Sequence, residues 1–411
     1  MSSSAPASLN GVRPRPVLLA LAYLAFVSLG LPDAVLGVAW PSLRDTFALP
    51  QVGMGAILTA SAAAYFVSGL LAGRLMRALR VGLLLAGSTA LVALGLAGYA
   101  TVPLFALFLF AACFIGFGSG AIDAALNTYA AHHFGARHMA WLHAAYSVGA
   151  ALGPVLLTAL LARGAGWRSG YAVIGAVLGV LSLTFVVMRR QWEGGPAQPG
   201  AERASPVAPA RTGGQALRRP RVWLQILIFF FYTGVEVTAG QWSYTVLTEG
   251  RGLRTAEAGG WVSLYWGSLL VGRILSGFVV EWMGPVRMLR LSTVLAVVGA
   301  LLFALPALPP ALGLGLLGFA LAPIFPALMS ETPRRVGSDV AAHAVGFQVS
   351  AATLGVAALP SAAGFLAERF GLGVIGPQLL LYSGVLAVLH GVLSVSADRP
   401  LATGSEDSRS A

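Results

Sequence analysis

Long apolar runs, parted by short turns rich in arginine, glycine and proline, follow one another along almost the whole chain. About 20 residues of α-helix cross the hydrocarbon core of a bilayer. Runs of this kind occupy 17–41, 51–73, 81–101, 103–130, 138–162, 168–188, 222–248, 257–281, 286–306, 308–330, 340–367 and 372–395. The pattern predicts an all-α membrane protein of twelve transmembrane helices in two six-helix bundles, 17–188 and 222–395. Between them, 189–221 is rich in Gly, Pro, Ala and Arg and has no hydrophobic period. Such a segment cannot bury a core and reads as a cytoplasmic linker. The segments 1–16 and 396–411 read as cytoplasmic tails. Arg13 and Arg15 before the first run imitate a signal peptide. That run continues past Trp40, however, beyond the roughly 7–15 residues of a signal-peptide apolar region, and is the first transmembrane helix.

Composition agrees. Of 411 residues, 57% are hydrophobic and only 10% charged, with a mean hydropathy of +0.79. A soluble domain carries about 25% charged residues, so this chain could not cover a water-facing surface. Twenty-six basic residues, all arginine, oppose fifteen acidic ones for a net charge of +11. The arginines sit in turns between apolar runs, which points to topology and away from nucleic acid. With the N-terminus inside, nineteen arginines fall in cytoplasmic segments and six outside, and Arg273 lies within a span. That bias follows the positive-inside rule, so both termini are expected in the cytoplasm of a bacterium, with the protein multi-pass in its inner membrane. Cys113 is the single cysteine, which excludes an internal disulfide or a cysteine-based metal site.

The two halves repeat each other. In the first run Asp33 is followed by Gly37 and Trp40, and in the seventh Glu236 is followed by Gly240 and Trp242. After the second run, Gly73 leads to Arg77 and Arg80, and after the eighth, Gly277 leads to Glu281 and Gly284. Gly116 and Phe117 match Gly318 and Phe319. Six-helix repeats in the same direction are an arrangement of secondary transporters.

Two six-helix halves, a basic central linker and Gly-rich basic turns after runs two and eight resemble the major facilitator superfamily. The turn departs from the family's pattern, with Arg77 where an Asp is usual and Glu281 at the matching place in the second half. Within the superfamily the chain looks most like the fucose permease-like sugar–proton symporters. The residues behind this are Asp33 after Pro32, Asp123, His143 with Tyr146 and Gly149, and Glu236 leading to Gly240, Gln241 and Trp242. The resemblance implies alternating access about a midplane cavity, with an acid at Asp123 coupling a proton.

Charges in hydrocarbon cost roughly 2.5–3.5 kcal/mol each on insertion scales, so Asp33, Asp123, Glu236 and Arg273 are candidates by default. Pro32 kinks its helix beside Asp33, which suits a cavity wall and a proton-coupling role. Asn127 lies one turn beyond Asp123 on the same face, where it can bind a hydroxyl or clamp a neighbouring helix. Glu236 and Arg273 are expected to approach, as a static ion pair or as part of a substrate site. The repeat sets His143 opposite Gln348 across a shared cavity. Asn127, His143, Tyr146, Glu236, Gln241 and Gln348 are thus candidate substrate ligands, with Trp40 or Trp242 as stacking surfaces. His132, His133 and His138 read as a solvated turn, not a metal site.

Nothing matches a phosphate loop or a hydrolase motif, and no enzyme, cofactor or metal is expected. The expected function is proton-coupled transport of a small polar solute, a monosaccharide by preference, with sodium as the alternative coupling ion. The partners expected are that solute, the ion and the bilayer, with no nucleic acid, and the chain is expected to act as a monomer. The alternative is drug or metabolite efflux by proton antiport, suggested by Gly149, Gly153 and Pro154 and by the largely apolar tenth run around Pro323 and Pro326.

Overall fold

The computed structural model describes residues 16–134, 136–192, 213–337 and 339–397. The tails 1–15 and 398–411 and the linker core 193–212 lie outside the described residues.

Every apolar run forms helix, and the described residues contain no strand. Span 1 is Pro16–Asp33 and Val35–Phe47, interrupted at Ala34. Spans 2 and 3 share one helix, Gly53–Thr101, of 49 residues. At ~1.5 Å per residue it would reach about 74 Å, more than twice the ~30 Å core. It therefore cannot cross once, and Arg80, with φ 58° and ψ 158°, breaks it into two. Spans 4 to 6 are Phe105–His133, Ala136–Ala162 and Trp167–Val187. Spans 7 to 9 are Pro220–Thr245, Thr255–Met283 and Pro285–Ala304. Span 10 is Pro310–Leu321 and Ile324–Val336, and spans 11 and 12 are Ala341–Phe370 and Ile375–Ala397.

The described ends of the segment 189–221 are helical. Arg189–Trp192 forms a 3₁₀ turn against span 3, where the Arg189 carbonyl fills the space beside Gly82. Trp192 is buried. Gly213–Ala216 is a short helix, and Pro220, which needs no N–H at a helix start, opens span 7.

Lipid gives helices no hydrophobic reason to associate, so they pack through small residues. The repeat is visible at this level. Gly149 of span 5 sits on the carbonyl of Val27, and Gly355 of span 11 sits on that of Phe230. Gly116 of span 4 sits on the carbonyl of Ser61, and Gly318 of span 10 on that of Tyr265. Neither pair leaves room for a Cβ. Gly284, at the turn between spans 8 and 9, has φ 76° and ψ 157°, nearly the geometry of Arg80.

The halves meet along symmetry-related pairs, span 2 on span 11 and span 5 on span 8, with spans 1 and 7 crossing between them. One end of this seam is sealed. A Cβ on Gly55 would lie 2.8 Å from Ser361 Cβ, and one on Gly259 2.7 Å from Thr158 Cβ. Arg44 pairs with Glu249 at 3.2 Å. The backbone N–H of Gln51 donates to Glu368.

Candidate functional site

The interruptions in spans 1 and 10 both have proline chemistry behind them. Pro32 lacks the N–H that would bond the Ser28 carbonyl, and Pro323 and Pro326 remove the bonds due to Phe319 and Ala322. In span 1 the break falls at Ala34, beside Asp33. Gly30 seats that helix on the backbone of Tyr146 and Ala150, and Gly153 seats span 5 on Leu31. The close approach brings the Tyr146 hydroxyl to the Asp33 carboxylate, where it donates at 2.9 Å. From the other half, Gln241 Nε2 donates to the Asp33 carbonyl at 2.7 Å. Gly37 lets this crossing form, since a Cβ there would lie 2.6 Å from the Gln241 carbonyl. Asp33 remains solvent-accessible between these partners.

Asp123 is held the same way by spans 2 and 4. Gly116 and Gly120, one turn apart, rest on the carbonyls of Ser61 and Tyr65. Tyr65 then donates its hydroxyl to Asp123 Oδ2 at 2.7 Å. Asn127 Nδ2 donates to Asp123 Oδ1 at 2.9 Å and to its carbonyl at 3.0 Å.

The second half contributes an ion pair. Arg273 Nη2 lies 3.6 Å from Glu236 Oε1. Tyr232 donates its hydroxyl to the Glu236 carboxylate, and Tyr265 donates to the Glu236 carbonyl at 2.8 Å. The same guanidinium reaches across the seam. Its Nη1 donates to Ser147 Oγ at 2.7 Å and to the His143 carbonyl at 3.4 Å. Its centre stands 5.9 Å from the Tyr146 ring. A polar chain thus runs from Asp33 through Tyr146 and Arg273 to Glu236, joining the halves near the middle of the molecule.

Several expected ligands lie elsewhere. Trp40 and Trp242 are both 0% exposed, so neither offers a face for stacking in this structure. Trp40 donates its indole N–H to Gln51 at 2.9 Å, and Trp242 donates to the Pro360 carbonyl at 2.9 Å. Gly53 and Gly364 make room for the two rings, and the rings become part of the seal. Gln348 does not meet His143 across a cavity. It is fully buried within the second half, donating to Gln225 and, at 3.1 Å, to Thr332. A carboxamide in hydrocarbon needs partners, and this one finds them on spans 7 and 10. Gln241 is buried and occupied by Asp33. His143 is half-buried, its ring edge-on to Phe26 at 5.5 Å. His138 is not a solvated turn residue, since its Nδ1 pairs with the Tyr23 hydroxyl at 2.7 Å.

Three side chains that bond the candidate residues escape the sequence reading: Tyr65, Ser147 and Tyr232. Ser147 and Tyr232 lie one turn from His143 and Glu236 on the same helical faces, a signal that helical spacing carries. Tyr65 has no such neighbour, and only the packing of span 2 on span 4 reveals it. Among the described residues no cluster of three or more His, Cys, Asp or Glu could hold a metal. The arrangement is suited to hydrogen-bonding hydroxyl groups and to moving a proton on or off a carboxylate.

Comparison with known proteins places this geometry in a family. Human sodium-dependent glucose transporter 1 is 24% identical over 421 residues, covering 92% of this chain and 79% of that protein. The glucose/galactose transporter of Brucella abortus biovar 1 (strain 9-941) is 23% identical, covering 67% of this chain and 69% of the relative. Among solved structures, the outward-facing fucose transporter FucP superposes with a TM-score of 0.63 at 17% identity, covering 93% and 99% of the two chains. An inward-facing bacterial homologue of the lysosomal transporter Spinster superposes at 0.77 with 16% identity, covering 96% and 100%. The model of the Major Facilitator Superfamily matches residues 22–360. The chain belongs to the Major Facilitator Superfamily of membrane transporters, and its twelve spans carry that fold.

Proposed function

We propose that this protein carries a monosaccharide of the hexose class across the membrane by alternating access, driven by a proton. The observation that carries the reading is the solvent-accessible Asp33 at the seam, bonded to Tyr146. An acid at the moving interface can change charge as the halves rock, and its protonation then biases which end is open. The polar groups of Asp123, Asn127 and Glu236 offer the acceptors and donors that sugar hydroxyls require. Sugar-transporting relatives support the substrate class.

Asp33 and Asp123 are surrounded by phenol and carboxamide donors. Both termini are assigned to the cytoplasm of a bacterial cell by the arginine bias, so the sealed end faces outward and the cavity opens inward. Gly149 and Gly153, which suggested drug antiport, seat span 5 on the Val27 and Leu31 carbonyls of span 1.

Purified protein in proteoliposomes tests the reading. Labelled D-glucose and D-galactose should accumulate when the outside is more acidic than the lumen, and not under a sodium gradient at equal pH. Accumulation driven by sodium alone would remove the proton from the mechanism. No hexose uptake under either gradient would remove the substrate class.

A further inference from the structure

Phe325 occupies the place in the second half that Asp123 holds in the first. Asp123 stands seven residues after Gly116, and Phe325 seven after Gly318. Both glycines seat their helices on equivalent carbonyls, those of Ser61 and Tyr265. The correspondence extends to the neighbours. Asn127 is matched by Met329, each four residues further on, and Tyr65 by Leu269, each four after the seating carbonyl. On one wall an acid, a phenol and a carboxamide cluster. On the other the same three places hold an aromatic ring, an aliphatic chain and a thioether.

Two further observations put Phe325 beside the polar centre. Span 10 is interrupted at Ala322–Pro323, so Phe325 lies in the first turn of its inner segment. Discontinuous helices mark binding sites in transporters, because irregular backbone at membrane depth is tolerated where it lines a cavity or is buried in protein. The Phe325 ring also meets Phe229 edge-on at 5.2 Å and lies 6.1 Å from the ring of Tyr232, whose hydroxyl donates to Glu236. Phe325 itself is only half-buried, whereas Phe229 and Tyr232 are buried.

We propose that Phe325 is a specificity-determining residue whose ring supports the carbon face of the transported solute, opposite the hydrogen-bonding wall of Asp123 and Asn127. The inference rests on the hexose reading above and adds what selects within it. A pyranose ring has hydroxyl edges and a patch of C–H bonds on one face, and a cavity with one polar and one aromatic wall matches both. Trp40 and Trp242, sealed in the packed seam, leave this role open.

The test is steady-state uptake in proteoliposomes by wild type and by Phe325→Tyr, Phe325→Leu and Phe325→Ala, with KM and maximal rate measured separately. Phe325→Tyr should keep KM within about twofold of wild type. Phe325→Leu and Phe325→Ala should raise it about tenfold, the equivalent of ~1.4 kcal/mol, with the maximal rate little changed. Should the alanine variant fail to fold, the tyrosine and leucine variants decide, because both keep the site filled. A leucine variant with wild-type KM overturns the aromatic platform while leaving hexose transport standing. A loss confined to the maximal rate assigns Phe325 to helix packing and overturns the proposal too. If wild type neither binds nor carries any hexose, both this inference and the reading beneath it fall.

Discussion

The Asp33 carboxylate accepts a 2.9 Å hydrogen bond from the Tyr146 hydroxyl, joining the broken first span to the fifth. Tyr146 in turn presents its ring to Arg273 of the other half at 5.9 Å. One phenol therefore touches the accessible acid of one bundle and the buried cation of the next. Removing the hydroxyl by Tyr146→Phe keeps the ring beside Arg273 and deprives Asp33 of its donor. A hydrogen bond to a charged group is worth about 1.5–3 kcal/mol, so proton-driven uptake should fall at least about tenfold. The thermal midpoint in detergent should fall modestly as well, because the same bond contributes to stability. Uptake at the wild-type rate would show that the bond plays no part in the cycle.

Neutralising the acids separates coupling from carrying. Asp33→Asn and Asp123→Asn each retain a hydrogen-bonding side chain of nearly the same shape but cannot gain or lose a proton. Either variant should lose accumulation against a gradient while still exchanging internal for external solute. Equal accumulation by the double variant and wild type, measured with a pH gradient, would exclude both residues from coupling.

Arg273 and Glu236 share one buried site. Leaving one charge without its partner costs about 3–5 kcal/mol, whereas replacing both by apolar groups is often neutral. Arg273→Met and Glu236→Leu should each lower the thermal midpoint sharply, and the double variant should recover much of the loss. Additive losses in such a cycle would mean that the two groups are held independently.

Arg80 occupies a backbone region that suits glycine, and its repeat mate is Gly284 with nearly the same angles. Strain of this kind is worth about 1–3 kcal/mol, partly offset by the extra freedom of glycine when unfolded. Arg80→Gly should raise stability by about 1 kcal/mol and shift the thermal midpoint upward. A midpoint at or below that of wild type would count against strain at this turn.

The outward seal depends on Gly55 and Gly259 having no side chain. Gly259→Leu places a branched side chain where Thr158 sits, which should hold the outer end open. Cys113 is the single native cysteine, so a Cys113→Ala background carrying Gln51→Cys reports the change. Gln51 is buried in the seal, and Gln51→Cys should react several-fold faster with a membrane-impermeant maleimide when Gly259→Leu is added. Unchanged labelling would mean that the seal closes elsewhere.

What the chain alone determined follows from local physics. Hydrocarbon admits only segments whose backbone bonds are internally satisfied, so twelve apolar runs had to become twelve helices, and the arginine turns marked their ends. The charges in hydrocarbon, Asp33, Asp123, Glu236 and Arg273, were legible for the same reason, since their cost is paid residue by residue. The repeat was legible at its glycines, Gly116 with Gly318 above all. The side-chain assignments at Trp40, Trp242 and Gln348 were not. Depth along a helix tells which residues lie near the midplane, but the azimuth of a nearly uniform apolar helix carries no sign of which face meets a cavity, a neighbour or lipid. That choice belongs to the crossing points, where Gly30, Gly37 and Gly364 let backbones and rings approach. It is the crossings that turn Trp40 and Trp242 into the seal, bury Gln348 in its own bundle, and leave Asp33 exposed.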